Sequence, residues 1–359
     1  MKKKHSNPSK ILIIKPSALG DIALTLPVLA SLRASFPDAH ITWFIRPEFA
    51  PLLENISGLD DVIIFNRKHL GKWWCNPRQF AALMRLFAEL RKGRFDLVLD
   101  LQGLFRTAFF ARLTGSKRRF GMKTAREFAT LFYTDKIDPD ADSVHVIDYH
   151  RKILAAAGAR TITNDSNLFP TTQAAERVRR LLQGRNVDLH NYVVLVTGSA
   201  RASKCWPVEK FAALADRISE RFGARIIAVG VAAEKPTIAR LVELAGAGVV
   251  DLAGCTDVGA LIALLAGARL VVSNDTGPAH IACALDVPVI IIFGPTNPLR
   301  IRPYAKPHAV VAVDLDARGS AIDSNDPRYR IDAVSVESVF AQVECNLKNH
   351  PETLGAPNE

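Results

Sequence analysis

The apolar run that begins at Val271 ends in Asn274, Asp275, Thr276 and Gly277, and a helix of small residues is expected from about Pro278. Backbone N–H groups, a hydroxyl and the positive end of a helix would then converge on one point, an arrangement suited to a phosphate or diphosphate. Gly277 permits close approach, and Pro278 is compatible with a first helical turn. A carboxylate such as Asp275 is unfavourable beside phosphate unless it binds hydroxyls of the same ligand. That points to a sugar carried on a phosphate.

Three more strand-like runs end in polar groups. VTGSARASKCWP places Gly198 and Ser199 at a turn and Lys204 shortly after it, the outline of a phosphate cradle with a cationic arm. The spacing is not that of a Walker loop. AVGVAAEKPT offers Glu234, an acid able to accept hydrogen bonds from ribose hydroxyls. In the first half, ILIIK is followed by PSALGDIALTLPVLASL, with Asp21 at the end of a strand, where α/β proteins place ligands. Each residue also has a plain structural reading. Asp21, Asp275 or Thr276 can cap a helix, His280 can pack inside one, Glu234 suits a helix amino end, and Lys204 suits a solvated surface.

The elements that must position these groups alternate in type. Apolar runs such as ILIIK, HITWFI, DVIIFNR and FDLVLDLQG are separated by helix-like stretches such as ALTLPVLASLRASF and QFAALMRLFAELRKG. A second series, from YVVLVTGS to VPVIIIFG, comes after a polar, cap-rich zone. Such alternation predicts an α/β protein with two mainly parallel, doubly wound sheets covered by helices. The expected domains are residues 1–175 and 176–345, with residues 346–359 a frayed tail. Two such domains joined by one linker would form a cleft between the carboxyl edges of their sheets. No Gly-x-Gly-x-x-Gly comes after the first strand of either half, which disfavours a nicotinamide or flavin site.

Charge is distributed unevenly. Residues 1–180 hold 29 Lys+Arg against 17 Asp+Glu, a net +12, whereas the remaining residues hold 17 against 19, a net −2. The first half therefore favours an anionic partner. No apolar run approaches the ~18 residues that span a bilayer, and the basic amino terminus precedes too short an apolar stretch for a signal peptide. A cytoplasmic protein is expected. Five scattered cysteines without a Cys-x-x-Cys pair argue against a disulfide framework or zinc site. A nucleic-acid-binding module would predict stacking aromatics or an arginine-rich recognition helix, and neither is evident.

Taken in order, KPSALGDIALTLPVLASL, DLVLDLQGLFRTAFFARLTGSKRRFGM, TGSARASKCWP, LAGCTDVGALIALLAGARLVVSNDTGPAHIACALDVPVIIIFGPTNP and the trailing RPY resemble the ADP-heptose:lipopolysaccharide heptosyltransferases, glycosyltransferase family 9. The likeness runs over roughly residues 10 to 345. It implies a GT-B fold, in which two Rossmann-like domains face each other across a cleft and the last helix crosses back toward the first. It also implies inverting, metal-independent transfer of L-glycero-D-manno-heptose from ADP-heptose to an anionic lipopolysaccharide core, at the cytoplasmic face of the inner membrane of a Gram-negative bacterium, with peripheral membrane contact. Alternatives within the family are another nucleotide sugar or a protein acceptor.

By resemblance, Asp21 matches the catalytic base and Lys204 the lysine beside the donor phosphates. Ser199 matches a hydroxyl near those phosphates, Glu234 the ribose acid, and Thr256 the adenine-holding segment. Asp275 matches the heptose-binding acid, Thr276 and Gly277 the phosphate-binding turn, and His280 the histidine of the block. Arg106, Arg118, Arg119, Lys123 and Arg126 lie on segments of the basic half expected to reach an anionic acceptor. Ala200 stands where a second hydroxyl often lies, and the adjacent Trp73 and Trp74 match no acceptor pattern of the family.

Overall fold

The computed structural model describes residues 7–349, apart from Lys72, residues 140–142, His190, Ala247, Ala305, Pro307, His308 and residues 319–326. The chain divides into two compact units, Met1–Asn167 and Leu168–Glu359. The first contains β1 (Lys10–Ile14), α1 (Leu19–Ala23), α2 (Leu26–Ser35), β2 (His40–Ile45), α3 (Ala50–Leu53), β3 (Asp61–Ile64) and α4 (Arg67–Leu70). It continues through α5 (Pro77–Lys92), β4 (Leu97–Asp100), α6 (Phe105–Leu113), β5 (Arg119–Met122), β6 (Asp135–Ile137) and α7 (Val146–Ala157). The second opens with α8 (Thr172–Gln183), β7 (Tyr192–Val196), α9 (Val208–Phe222), β8 (Arg225–Val229), α10 (Lys235–Leu244) and β9 (Val250–Asp251). It closes with α11 (Val258–Ala266), β10 (Leu270–Asn274), α12 (Gly277–Ala284), β11 (Val289–Phe293), β12 (Val310–Ala312) and α13 (Val336–Asn349).

Each unit is built on a six-stranded sheet, in the orders β3-β2-β1-β4-β5-β6 and β12-β11-β10-β7-β8-β9. All the pairings are parallel. Parallel strands are covered on both faces and so are apolar along their length. YVVLV and VIIIF accordingly bury every residue. The helices turn one apolar stripe inward. In α9 that stripe is Phe211, Ala212, Leu214, Ala215 and Ile218, and the helix stops at Gly223, whose positive φ of 61° provides a left-handed C-cap.

In both sheets the strand order reverses between two neighbours, β1 and β4 in the first, β7 and β10 in the second. Connections depart to opposite faces at such a point and leave a crevice at the carboxyl ends, the usual ligand site of open α/β sheets. The closing helix, expected to cross back toward the first half, packs on α9 and on β10, β11 and β12 within the second unit. It runs on to Asn349. The rest of the expected frayed tail, residues 350–359, lies outside the described residues.

Candidate active site

In the second unit the β7/β10 crevice holds Lys204 and Asp275 as an ion pair, with Lys204 Nζ 2.5 Å from Asp275 Oδ2. The other carboxylate oxygen lies 3.4 Å from His280 Nε2. Asp275 is 5% exposed. Burial alone would raise its pKa, but the His280 and Lys204 contacts outweigh it and hold the carboxyl below its usual range. The acid is thus kept ionised inside the protein, just ahead of the first turn of α12. Thr276 is the N-cap residue of that helix and makes no side-chain cap bond, and Gly277 begins the helix. The capping reading of Thr276 is therefore not the one adopted.

Asn274, the last residue of β10, is fully buried. Its Nδ2 donates to Thr197 O at 2.7 Å, and its Oδ1 accepts from Trp206 N at 3.0 Å. One side chain thereby fixes both ends of the loop that carries Ser199 and Lys204. Sequence reasoning treated Asn274 only as part of the strand end; a buried amide closing a strand was the available signal. Two buried polar atoms on the flanking elements, His280 Nδ1 and Thr197 Oγ1, have no hydrogen-bond partner among the described residues. Such groups are unfavourable unless a ligand or water completes them.

Glu234 stands in the turn after β8, as the residue just before α10, where its Oε2 accepts from Val231 N at 2.8 Å. It leans over Gly198, so that a Cβ on Gly198 would sit 1.7 Å from Glu234 Oε1. Only glycine allows this contact between the β7 and β8 turns. Ser199 and Thr256 are both half-exposed, the first on the loop after β7 and the second between β9 and α11. All the expected donor residues therefore belong to one unit and to segments leaving the carboxyl edge of its sheet.

In the first unit Asp21 lies in α1, just beyond the carboxyl end of β1 and half-exposed. One of its oxygens accepts from Ala18 N at 3.3 Å. Capping and ligand-directed readings are compatible here, because a carboxylate has acceptor capacity beyond one long hydrogen bond. Beneath this turn, Lys15 is buried and donates to Leu101 O at 3.0 Å. His150 of α7 is buried beside it and bonds the backbone of Leu24. Burial, then the charges of Lys15 and His145, pushes the His150 pKa down to about 3. The turn bearing Asp21 thus rests on one buried cation and one neutral imidazole, neither singled out from the sequence.

The basic residues expected to grip an acceptor fall into two groups. Arg106 lies in the first turn of α6, and Lys123 and Arg126 come after β5, so these three leave the carboxyl edge, as Asp21 does. Lys123 is paired with Asp138 at 2.7 Å. The exposed guanidinium groups of Arg106 and Arg126 make no hydrogen bond or ion pair with the described residues. Arg118 and Arg119 instead stand at the start of β5, on the opposite, amino edge of the sheet. Arg118 donates to Ala157 O at 2.7 Å, and Arg119 donates to Phe132 O at 2.7 Å and to Ser116 O. They hold loops together, so of the five residues expected to reach an acceptor these two stand on the edge away from Asp21, with their guanidinium groups engaged by backbone carbonyls.

A family model described as glycosyltransferase family 9 (heptosyltransferase) matches residues 83–322. Lipopolysaccharide heptosyltransferase 1 of Escherichia coli K12 is 31% identical over 304 residues, which is 83% of this chain and 91% of that protein. The protein of the same description from Pseudomonas aeruginosa is 31% identical over 297 residues, covering 80% of this chain and 79% of that one. Among solved structures, E. coli heptosyltransferase WaaC with ADP-2-deoxy-2-fluoro heptose superposes with a TM-score of 0.74 at 26% identity, over 94% of this chain and 99% of that one. The family 9 glycosyl transferase from Veillonella parvula reaches a TM-score of 0.83 at 22% identity, over 95% and 98% of the two chains. The expected GT-B class of α/β fold is the one observed, and the chain belongs to glycosyltransferase family 9, the heptosyltransferase family.

Proposed function

We propose that this glycosyltransferase moves L-glycero-D-manno-heptose from ADP-heptose to the lipopolysaccharide inner core, onto Kdo or a first heptose, with inversion and without a metal ion. The observation that carries the reading is the Lys204–Asp275–His280 chain beside the amino end of α12. A cation and backbone N–H groups gathered there suit a diphosphate, and an ionised acid beside them suits the hydroxyls of a sugar carried on it. The relatives' descriptions as lipopolysaccharide heptosyltransferases support the choice of substrates.

In this reading Asp21 accepts the proton of an acceptor hydroxyl as that oxygen bonds the anomeric carbon. The bond from that carbon to the β-phosphate oxygen breaks, and its electron pair leaves with ADP. Lys204 and the N–H groups opening α12 stabilise the charge gathering on the departing diphosphate. Glu234 takes ribose hydroxyls, Ser199 a phosphate oxygen, and the segment at Thr256 the adenine. Arg106 and Arg126, with Lys123 released from Asp138, meet the acidic acceptor. The proposed place of work is the cytoplasmic face of the inner membrane. No described helix is long and apolar enough to cross a membrane.

The test is incubation with ADP-heptose and truncated core acceptors ending in Kdo or in one heptose, read by mass spectrometry with and without EDTA. Addition of one heptose, unaffected by EDTA, is expected. Transfer only from another nucleotide sugar, or only to protein, would replace this reading with one of the family alternatives.

A further inference from the structure

Between residues 66 and 94 the sequence carries eight Lys or Arg and a single acid, Glu89. This is a strongly one-sided stretch of the basic half, and it contains side chains that the core does not use. Trp73 is 44% exposed, Trp74 69%, Phe80 46% and Met84 38%. The two tryptophan rings meet edge to face at 6.1 Å, and Trp73 lies 6.4 Å from Phe80. Phe80 and Met84 are four residues apart on α5, so they share a face. That face is distinct from the one placing Leu86 and Leu90 in the core. The helix is therefore apolar both inward and, near its amino end, outward.

A second exposed group continues the surface. Phe105 opens α6 and is 47% exposed, while Phe128 and Leu131, on the loop after β5, are 78% and 73% exposed. The loop is joined to α6 where Phe105 N donates to Glu127 Oε2 at 3.3 Å. Buried and half-buried rings link the two groups, because Phe87 of α5 lies 6.1 Å from Phe109, which stacks on Phe105 at 6.4 Å. Both groups sit where the chain leaves the carboxyl ends of β3, β4 and β5. This is the edge that carries Asp21. Arg67, Arg78, Arg106 and Arg126 are interspersed with them in the sequence.

A contiguous apolar surface of this kind marks an interaction site rather than ordinary exposure. Exposed tryptophans with surrounding cations match the physics of a bilayer interface, where indole rings settle at headgroup depth and Lys and Arg meet anionic lipid. We infer that the α4–α5 segment, with the tip of the loop after β5, is a docking surface for an anionic phospholipid bilayer, which brings the carboxyl edge of the first sheet against the membrane. The excess of cations favours this occupant over a second copy of the chain, which would bring like charge against like charge. The inference adds a surface to the proposed function, and lipid binding needs neither donor nor acceptor, so the two can fail separately.

The chain has four tryptophans, and Trp43 and Trp206 are buried at 0% and 2% exposure. A change in emission on adding lipid therefore reports Trp73 and Trp74. Vesicles of phosphatidylethanolamine and phosphatidylglycerol should blue-shift the emission, and lipids brominated high on the acyl chains should quench it. Pure phosphatidylcholine should bind more weakly. Trp73→Ser/Trp74→Ser should lower vesicle affinity at least about tenfold with an unchanged melting temperature. The same variant should turn over a deacylated, water-soluble acceptor normally and a vesicle-embedded acceptor with raised KM. The inference is overturned if wild-type emission ignores vesicles, if the double variant sediments with them as before, or if the pair instead holds a dimer that the substitutions dissolve.

Discussion

Lys204→Met should separate the two jobs proposed for one lysine. In the free protein its ammonium is the counter-ion of Asp275, at 2.5 Å, with side-chain exposures of 20% for the lysine and 4% for the acid. Removing one partner of a buried pair costs roughly 3–5 kcal/mol. His280 remains against the carboxylate and the lysine is partly hydrated, so about 2–3 kcal/mol is the expectation here. A unit of this size loses about 2–4 °C per kcal/mol, giving a melting point lower by about 4–12 °C. Loss of a charged hydrogen bond to phosphate is a separate effect of about 1.5–3 kcal/mol, or a Kd for ADP raised some 10- to 150-fold. Adding Asp275→Asn removes the stranded charge, so it should recover most of the melting temperature and none of the ADP affinity. Scanning calorimetry and titration calorimetry with ADP measure the two quantities on the same samples. If the single variant binds ADP within about twofold of wild type, or if the second substitution restores binding along with stability, Lys204 is a counter-ion only and the phosphate assignment is lost.

Asp21→Asn keeps an oxygen for Ala18 N and removes the base, so turnover should fall by roughly 10²–10⁴ with ADP affinity unchanged; near-normal turnover would leave Asp21 as a cap. Arg106→Gln/Arg126→Gln should raise the acceptor KM and weaken its dependence on salt, since exposed charges are screened over about 8 Å at physiological ionic strength, whereas Arg118→Gln/Arg119→Gln should lower the melting temperature and leave that KM alone. The reverse pattern would restore the amino edge as an acceptor site. His150 has a folded pKa pushed down to about 3 against about 6.5 when unfolded. Its contribution to stability is complete above pH ~6.5 and is lost as pH falls toward the folded value, with about 2 kcal/mol gone by pH 5. His150→Leu should flatten the stability profile between about pH 6.5 and 4, and an unchanged slope would show that another group titrates there.

The strands and the carboxyl edges that carry the candidate site residues were legible because a buried parallel strand is a short apolar run, and the residues just after such a run must stand at its carboxyl end. That logic located Asp21, Lys204, Glu234 and Asp275. Arg118 and Arg119 were grouped with Arg106, Lys123 and Arg126 without regard to edge, although the order of the letters held the answer: in KRRFGM the arginines precede the strand, so they stand at its amino edge. Contacts between distant positions were not legible at all. Lys204 and Asp275 were assigned separate tasks on separate segments, and nothing across the 71 positions that separate them announces that they pair. The same applies to the closing helix, whose amphipathic pattern revealed an apolar face but not which sheet would receive it.

The loop that carries Lys204, and the start of α9 after it, are tied to the carboxyl-terminal part of the chain. Trp206, two residues on, donates its indole N–H to Val334 O at 3.0 Å, and Lys210 donates to Asp332 O and Val334 O at 2.6 and 2.7 Å. Gly294 leaves room for Ile331, whose Cβ a side chain there would meet at 2.8 Å. From Val336 onward α13 lies on α9, with Arg217 over the Phe340 ring at 4.2 Å. Opening of the last helix and release of the lysine loop therefore form one cooperative event rather than two. Amides around Lys204 should exchange with solvent at the rate of those in α13, and a tag or truncation that frays this terminus would reach the proposed phosphate site through a residue more than a hundred positions away.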